Sequence, residues 1–410
     1  MSGPFPPGGR LEAGDFATGT ARAPGLDPVL TVGVIGSYGG LNVGDEAILT
    51  SVLAGVRELR PQVRIVVFSR SAEHTLLHHR PDEVVCLEQA DRRRVAEAVA
   101  GLNLLVLGGG GILYDGECSR YLRVVQAAHA AGVPVFVHAV GAGPLHDPGD
   151  CALVRNALDG VADLLVRDGG SKKVLEEAGV DAEISVTADP ALLLQPIRFP
   201  RERLDRGGIS SDVRLVGVSV REPGRAAEFL DEDGYHALLA VVSDFLVHRL
   251  DAQVVFLPME EDDLRHSHGV LARMTDPSRG RILHGPYQPG EVLGLMDHLH
   301  LVVGMRLHFL IFAAMAGVPF LPLPYAGKVF DFACAAGVPA LRGVRREHAG
   351  PLLAELDRLW DERPERLGVV RRRVARLTES AQLTRKRLGN LLDTLDPRPS
   401  LTGIGRDGAF

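Results

Sequence analysis

The sequence predicts an α/β protein built on two parallel, doubly wound sheets. Three observations carry that prediction. Short Val-, Ile- and Leu-rich runs alternate with stretches of helical period, the pattern of parallel strands covered on both faces. Glycine-rich turns follow the strands at 36–44, 108–111 and 141–143, where such sheets take ligands beyond their carboxyl ends. A Pro- and Gly-containing stretch, Gln195 to Asp212, then separates a second series of the same alternation.

Taken in order, residues 1–27 are rich in Gly, Pro and Ala, have no period, and are expected to form a mobile tail. The first unit, 28–195, opens with a strand at 29–35, a glycine-rich loop, and a helix that Asp45 and Glu46 begin and that runs to about Leu59. The loop spacing is not GxGxxG and no Walker lysine follows, so its glycines license close approach by a ligand without assigning a cofactor. Strands are expected at 64–68, 104–107, 133–137 and 163–166, with a helix at 92–100. The strand at 104–107 runs into four glycines, among them Gly110 and Gly111, which read either as a tight turn or as a backbone nest against a ligand. Ser171 is the expected N-cap of a helix over 172–178.

The second unit, 213–345, places Arg221 after the strand at 215–220 and Lys328 in the loop after 321–323. Between them, Gly304-Met305-Arg306-Leu307-His308 joins a buried strand to an apolar helix ending at Gly317. Two potential cations, Arg306 and His308, thus fall where the helix dipole is already positive. An anionic ligand would resolve the conflict. So would an acidic partner for Arg306 with His308 as a hydrogen-bonded core residue. Together Arg221, Arg306, His308 and Lys328 suggest a cationic rim for an acidic small molecule. Residues 346–410 form C-terminal helices and a tail, with Arg371, Arg372 and Arg373 on a solvated face.

Composition narrows the classes. The 410 residues are 46% hydrophobic and 24% charged, with a net charge of −7, which argues against nucleic acid as a partner. Four scattered cysteines offer no disulfide framework and no zinc spacing, and no metal site is expected. No signal-peptide pattern is present, and the apolar run 309–327 is broken by Gly317, Pro319, Pro322 and Pro324, so a cytoplasmic protein without a membrane span is expected. Oligomeric state is not legible.

Several motifs resemble, in order, those of the polysaccharide pyruvyl transferase family. They are Gly39-Gly40-Leu41-Asn42-Val43-Gly44-Asp45-Glu46, the glycines 108–111, Val166-Arg167-Asp168, Ala188-Asp189-Pro190, Val218-Ser219-Val220-Arg221, Met305-Arg306-Leu307-His308, and the segment Tyr325 to Phe330. The resemblance implies two Rossmann-like domains facing across a cleft in a GT-B-like arrangement. It also implies transfer of a pyruvyl group from phosphoenolpyruvate to a sugar or glycan, as a cyclic ketal, with no cofactor beyond the donor. By the same resemblance Arg221, Arg306 and His308 take the donor. The Gly39–Glu46 loop faces the acceptor, and Tyr325, Lys328, Gly110, Gly111 and Asp189 line the substrate site. His308 would supply a proton, Asp45 would accept one, and Asn42 would position the sugar. A lipid-linked acceptor would bring the protein to the inner membrane face. Two rivals stand beside this reading: a GT-B glycosyltransferase using a nucleotide-sugar, and a non-catalytic homologue that binds sugars or anions.

Overall fold

A computed structural model describes residues 29–396 except 211, 223–229, 284, 286, 342–344, 346 and 347. The expected tail over 1–27 lies outside the described residues.

The first unit begins with β1 (Thr31–Ile35), α1 (Val43–Leu59), β2 (Arg64–Ser69), α2 (Ala72–His79), β3 (Glu83–Cys86), α3 (Arg92–Ala100) and β4 (Leu104–Leu107). It continues with β5 (Gly110–Leu113), α4 (Cys118–Ala130), β6 (Val135–Ala142), α5 (Pro148–Leu158), β7 (Asp163–Val166), α6 (Gly169–Glu177) and β8 (Ser185–Val186). The strands are parallel in the order β3-β2-β1-β4-β6-β7-β8, and β5 pairs with β6 beyond the end of β4. All four residues of β4 are buried and apolar because helices cover both faces.

After the connecting α7 (Arg201–Arg206) come β9 (Arg214–Ser219), α8 (Glu232–Leu250), β10 (Ala252–Phe256), α9 (Asp262–Leu271), β11 (Gly280–Ile282) and α10 (Pro289–Leu295). Then follow β12 (Leu301–Gly304), α11 (Leu307–Ala316), β13 (Phe320–Pro322), α12 (Gly327–Ala336), α13 (Ala349–Asp361) and α14 (Arg363–Leu392). The second sheet is also parallel, ordered β11-β10-β9-β12-β13. Among the described residues no helix is long and apolar enough to cross a membrane, and all four cysteines are free.

Local chemistry sets the helix starts. Asn42, Ser71, Asp91, Asp147, Asp168 and Asp231 each accept a backbone N–H at an N-cap. Asp168 therefore replaces Ser171 as the cap of α6; Ser171 instead supplies the N–H that Asp168 accepts, at 2.7 Å. Helix α1 opens at Val43, two residues before Asp45, because Asn42 is the better cap.

Two other expectations change, and the solvated face expected at Arg371, Arg372 and Arg373 holds. Gly110 and Gly111 belong to strand β5, so they pair in the sheet and do not form a free nest. The stretch 195–212 holds α7 and buries Phe199, Leu204 and Ile209, so it is a packed connection. Helix α14 is exposed at Arg371, Arg372 and Arg373 but buries Val370, Val374, Ala381, Leu388 and Leu392. It crosses back to the first unit, where Arg387 pairs with Asp163 and Thr384 hydrogen-bonds Thr187 at 2.9 Å. One apolar core runs through both units, from Val52 and Leu192 to Phe309 and Leu388.

Candidate active site

In each sheet the strand order reverses beside the first strand: between β1 and β4, and between β9 and β12. The carboxyl ends of strands at such a reversal form a ready crevice. Helices α1 and α11 start at these two crevices and meet across the cleft. The Val43 N–H donates to the Met259 carbonyl at 2.9 Å, and Asn42 Nδ2 donates to Glu260 Oε2 at 2.6 Å. Asn42 Oδ1 meanwhile accepts the Gly44 N–H at 2.9 Å. Both polar ends of Asn42 are thus engaged in capping α1 and bridging the units.

Arg306 caps α11 from the second unit and is buried. Its Nε donates to Asp263 Oδ2 at 2.9 Å, and its Nη2 donates to both Asp263 and Glu260. Burial works against its charge, but the two carboxylates outweigh burial and raise the guanidinium above its ordinary value. The misplaced cation therefore already has acidic partners, Glu260 in the β10–α9 turn and Asp263 in the first turn of α9. Asp263, with no exposed surface, also accepts the Met259 N–H at 3.0 Å, which ties that turn to the guanidinium.

His308 lies two residues further on, in the first turn of α11. Its Nε2 is 3.5 Å from Asp189 Oδ2 of the first unit. The same carboxylate oxygen accepts from Arg167 Nη1 at 3.2 Å, and Asp189 Oδ1 accepts the Ala191 N–H at 3.0 Å. Burial alone would raise Asp189; His308, Arg167 and that N–H outweigh it and hold Asp189 well below the usual carboxylate range. The other face of the His308 ring rests on Gly44, where any Cβ would overlap the imidazole. Gly44→Ala is expected to displace His308, lowering turnover sharply while costing about 1–3 kcal/mol of stability, the usual range for overpacking. Steady-state kinetics beside a urea melt would check this; unchanged turnover would show that the contact does not position His308.

Asp45 and Lys328 converge on the β5 glycines from opposite units. A Cβ on Gly110 would stand 3.3 Å from Asp45 Oδ1, and one on Gly111 would stand 3.6 Å from Arg167 Nη2 and 3.9 Å from Lys328 Nζ. Side chains there would fill the floor of the cleft. Burial raises the Asp45 carboxyl above its ordinary value, against the opposing pull of His308 and Lys328. Tyr325 sits among cations: Arg221 is 4.1 Å and Lys328 Nζ 5.5 Å from its ring centroid. Burial would raise its phenol, yet Lys328, then Arg221, and also Arg306 bring it below its ordinary value. Among the described residues no carboxylate pairs with Arg221, whose Nε donates to the Glu222 carbonyl at 2.9 Å.

The structure thus brings Asp45, Asp189, Gly110, Gly111, Arg221, Arg306, His308, Tyr325 and Lys328 to one cleft. Sequence reasoning missed Glu260 and Asp263, although the run Glu260-Glu261-Asp262-Asp263 marks a strand end. It also left Arg167 without a role, though its motif was visible. One grouping of titratable side chains beside the cleft was not expected from the sequence. Glu46, His74 and His79 offer ligand atoms that all lie within 4.8 Å of one another. The three come from two helices, so no short spacing announces them.

Two doubly wound units closed over a cleft and tied by a returning C-terminal helix define the GT-B-like class of folds. Solved structures show the same fold at low identity. S. aureus MnaA, solved with UDP, is 11% identical over 91% of this chain and 99% of that one, with a TM-score of 0.63. Anabaena HepE, solved with UDP, is 14% identical over 90% of this chain and 100% of that one, TM-score 0.60. The UDP-GlcNAc 2-epimerase of Neisseria meningitidis is 13% identical over 89% of this chain and 100% of that one, TM-score 0.58. The polysaccharide pyruvyl transferase family profile matches residues 42–327, and the chain belongs to that family. No curated protein matches the sequence.

Proposed function

We propose that the protein transfers a pyruvyl group from phosphoenolpyruvate to a sugar of a glycan, forming a cyclic ketal and releasing phosphate. The observation that carries this reading is the meeting of Asp45, from one unit, with His308 and Lys328, from the other, over Gly110 and Gly111. Ketal formation needs an acid and a base on the two sides of one carbon. Arg221 and Lys328, flanking Tyr325, hold the donor's carboxylate and phosphate, with the Arg fork suited to a planar anion. Arg306, neutralised by its own carboxylates, fixes the donor wall and leaves the donor's charge to Arg221 and Lys328.

In this reading His308 gives a proton to the vinyl CH2 of the donor, which leaves C2 electrophilic. A sugar hydroxyl forms a C–O bond to C2 as Asp45 takes its proton. The C2–O bond to phosphate then breaks, and the phosphate leaves towards Lys328 and Arg221. A second hydroxyl closes the ring. Of the two hydroxyl protons, one balances that delivered to the new methyl group and the other departs with phosphate. Asp189 and Arg167 position His308.

Incubating the protein with phosphoenolpyruvate and a panel of free, nucleotide-linked and lipid-linked glycans tests the reading by mass and phosphate release. Pyruvylated product with stoichiometric phosphate is expected. Stabilisation by UDP- or GDP-sugars but not by phosphoenolpyruvate would favour a glycosyltransferase instead. Binding without phosphate release would leave a non-catalytic homologue.

The base assignment has its own test. Asp45 works only when ionised, so kcat/KM should fall as pH drops through its raised pKa. That acidic limb should lie above the ordinary Asp value of about 3.9. Asp45→Asn is expected to lose the limb and roughly 10²–10⁴-fold in rate. Full turnover by Asp45→Asn would remove Asp45 from the mechanism.

A further inference from the structure

We infer that Glu46, His74 and His79 form a binding site for a divalent transition metal, with Zn2+ the natural occupant, beneath the glycine-rich loop. The inference is independent of the donor and acceptor reading. It starts from a hydrogen-bond count. Thr50 Oγ1 donates its proton to the Glu46 carbonyl at 2.9 Å, so towards His79 Nδ1, 3.4 Å away, it acts as an acceptor. His79 Nδ1 therefore carries the ring proton. That leaves Nε2 as a lone pair aimed at Glu46 Oε2 at 2.7 Å. Two acceptors at that distance need a cation between them, either a second proton or a metal. His74 supplies the third donor. Its Nδ1 lies 4.0 Å from the same carboxylate oxygen, is buried, and has no hydrogen-bond partner.

Two imidazoles and one carboxylate form a donor set that zinc takes with a fourth position open. Tetrahedral ligands at about 2.0–2.1 Å from the ion stand about 3.3–3.4 Å apart. The His79–Glu46 edge opens and the His74–Glu46 edge closes by about 0.6–0.7 Å each to reach that spacing, and the His74–His79 edge lies within 4.8 Å. His79 also lines a cavity of about 390 Å³, with Thr50, His78 and Arg385, through which a hydrated ion can enter. Thr50 is the outer partner that fixes the His79 tautomer.

A second grouping, Glu232, His236 and His266, lacks these marks. There His236 Nε2 and His266 Nδ1 bond to each other at 3.0 Å, and exposed Glu232 accepts both of its contacts from Arg265. Its atoms are satisfied without an ion, which makes it an internal control.

An ion at Glu46 acts on the cleft. Glu46 Oε1 accepts the Gly39 N–H at 2.8 Å, and Asp45 is its neighbour on the first turn of α1. The metal would thus clamp α2 to α1 and hold the loop from below, a positioning role separate from the chemistry above it.

The test uses the full-length protein freed of metal with a chelator, then titrated with Zn2+ by calorimetry and with Co2+ by visible absorption. Wild type is expected to bind one equivalent, to gain the ligand-field bands of nitrogen- and oxygen-bound Co2+, and to melt at a higher temperature with Zn2+. His266→Ala should bind as wild type does. The His74→Ala/His79→Ala pair should lose the site, and Thr50→Val should weaken it by about 10–100-fold, as removal of an outer partner does. If the double variant folds poorly, His74→Gln, altered at the more exposed ligand, gives the same reading through lost Co2+ bands. Absence of binding by wild type, or undiminished binding by the His74 and His79 variants, overturns the inference.

Discussion

His308→Gln is expected to lower kcat by roughly 10²–10⁴-fold, the usual contribution of a positioned proton donor, while leaving the melting temperature nearly unchanged. The side chain is held from two sides, by Asp189 at 3.5 Å and by the Gly44 backbone. Glutamine fills much of the same space but cannot carry a proton to the donor. Because the loss falls on the chemical step, kcat and kcat/KM should drop together, with KM little altered. Asp189→Asn should show a smaller fall, since it leaves the imidazole in place and removes only the charge that orients it. Steady-state assays of phosphate release, with a thermal melt of each variant, give the answer. Near-normal turnover by His308→Gln would sink the proton-transfer assignment.

Asp263→Ala is expected to cost about 3–5 kcal/mol of stability, the range for breaking a buried ion pair and stranding its partner. Arg306 would keep Glu260, but its Nε would lose both contacts to Asp263, and the Met259 N–H would lose its acceptor. The melting temperature should drop on the order of 10 °C. Arg306→Met combined with Asp263→Leu should recover most of that stability, because replacing both charges by apolar groups is often neutral or better. The double variant should nevertheless stay impaired, since Glu260, which accepts from Asn42, has lost the guanidinium that fixes it at the wall of the cleft. Urea melts resolve the first effect and kinetics the second. A loss below about 1 kcal/mol for Asp263→Ala would mean that Arg306 is solvated in the folded protein and free to meet an anion directly.

These two residues illustrate what could be read from the chain. His308 was visible as a histidine at the start of a helix that follows a buried strand, a local pattern. Asp263 was not. Its importance rests on Arg306, 43 residues away, and nothing local distinguishes it from neighbouring acids that stay in solvent. The four glycines were legible as a ligand approach, yet the place of Gly110 and Gly111 in a strand needed the partner strand β6.

The alternation of buried strands and helices determined by itself two parallel sheets, and the ordered motifs carried the family. Periodicity and caps act over a few residues, so they survive in one dimension. Tertiary structure alone decided which charges meet. It gave Arg306 two carboxylates, seated His308 between Asp189 and Gly44, returned α14 to the first unit, and gathered Glu46, His74 and His79. Those outcomes depend on Coulomb and hydrogen-bond energies between groups far apart in sequence, and such energies exist only once packing has brought the groups together and removed the water.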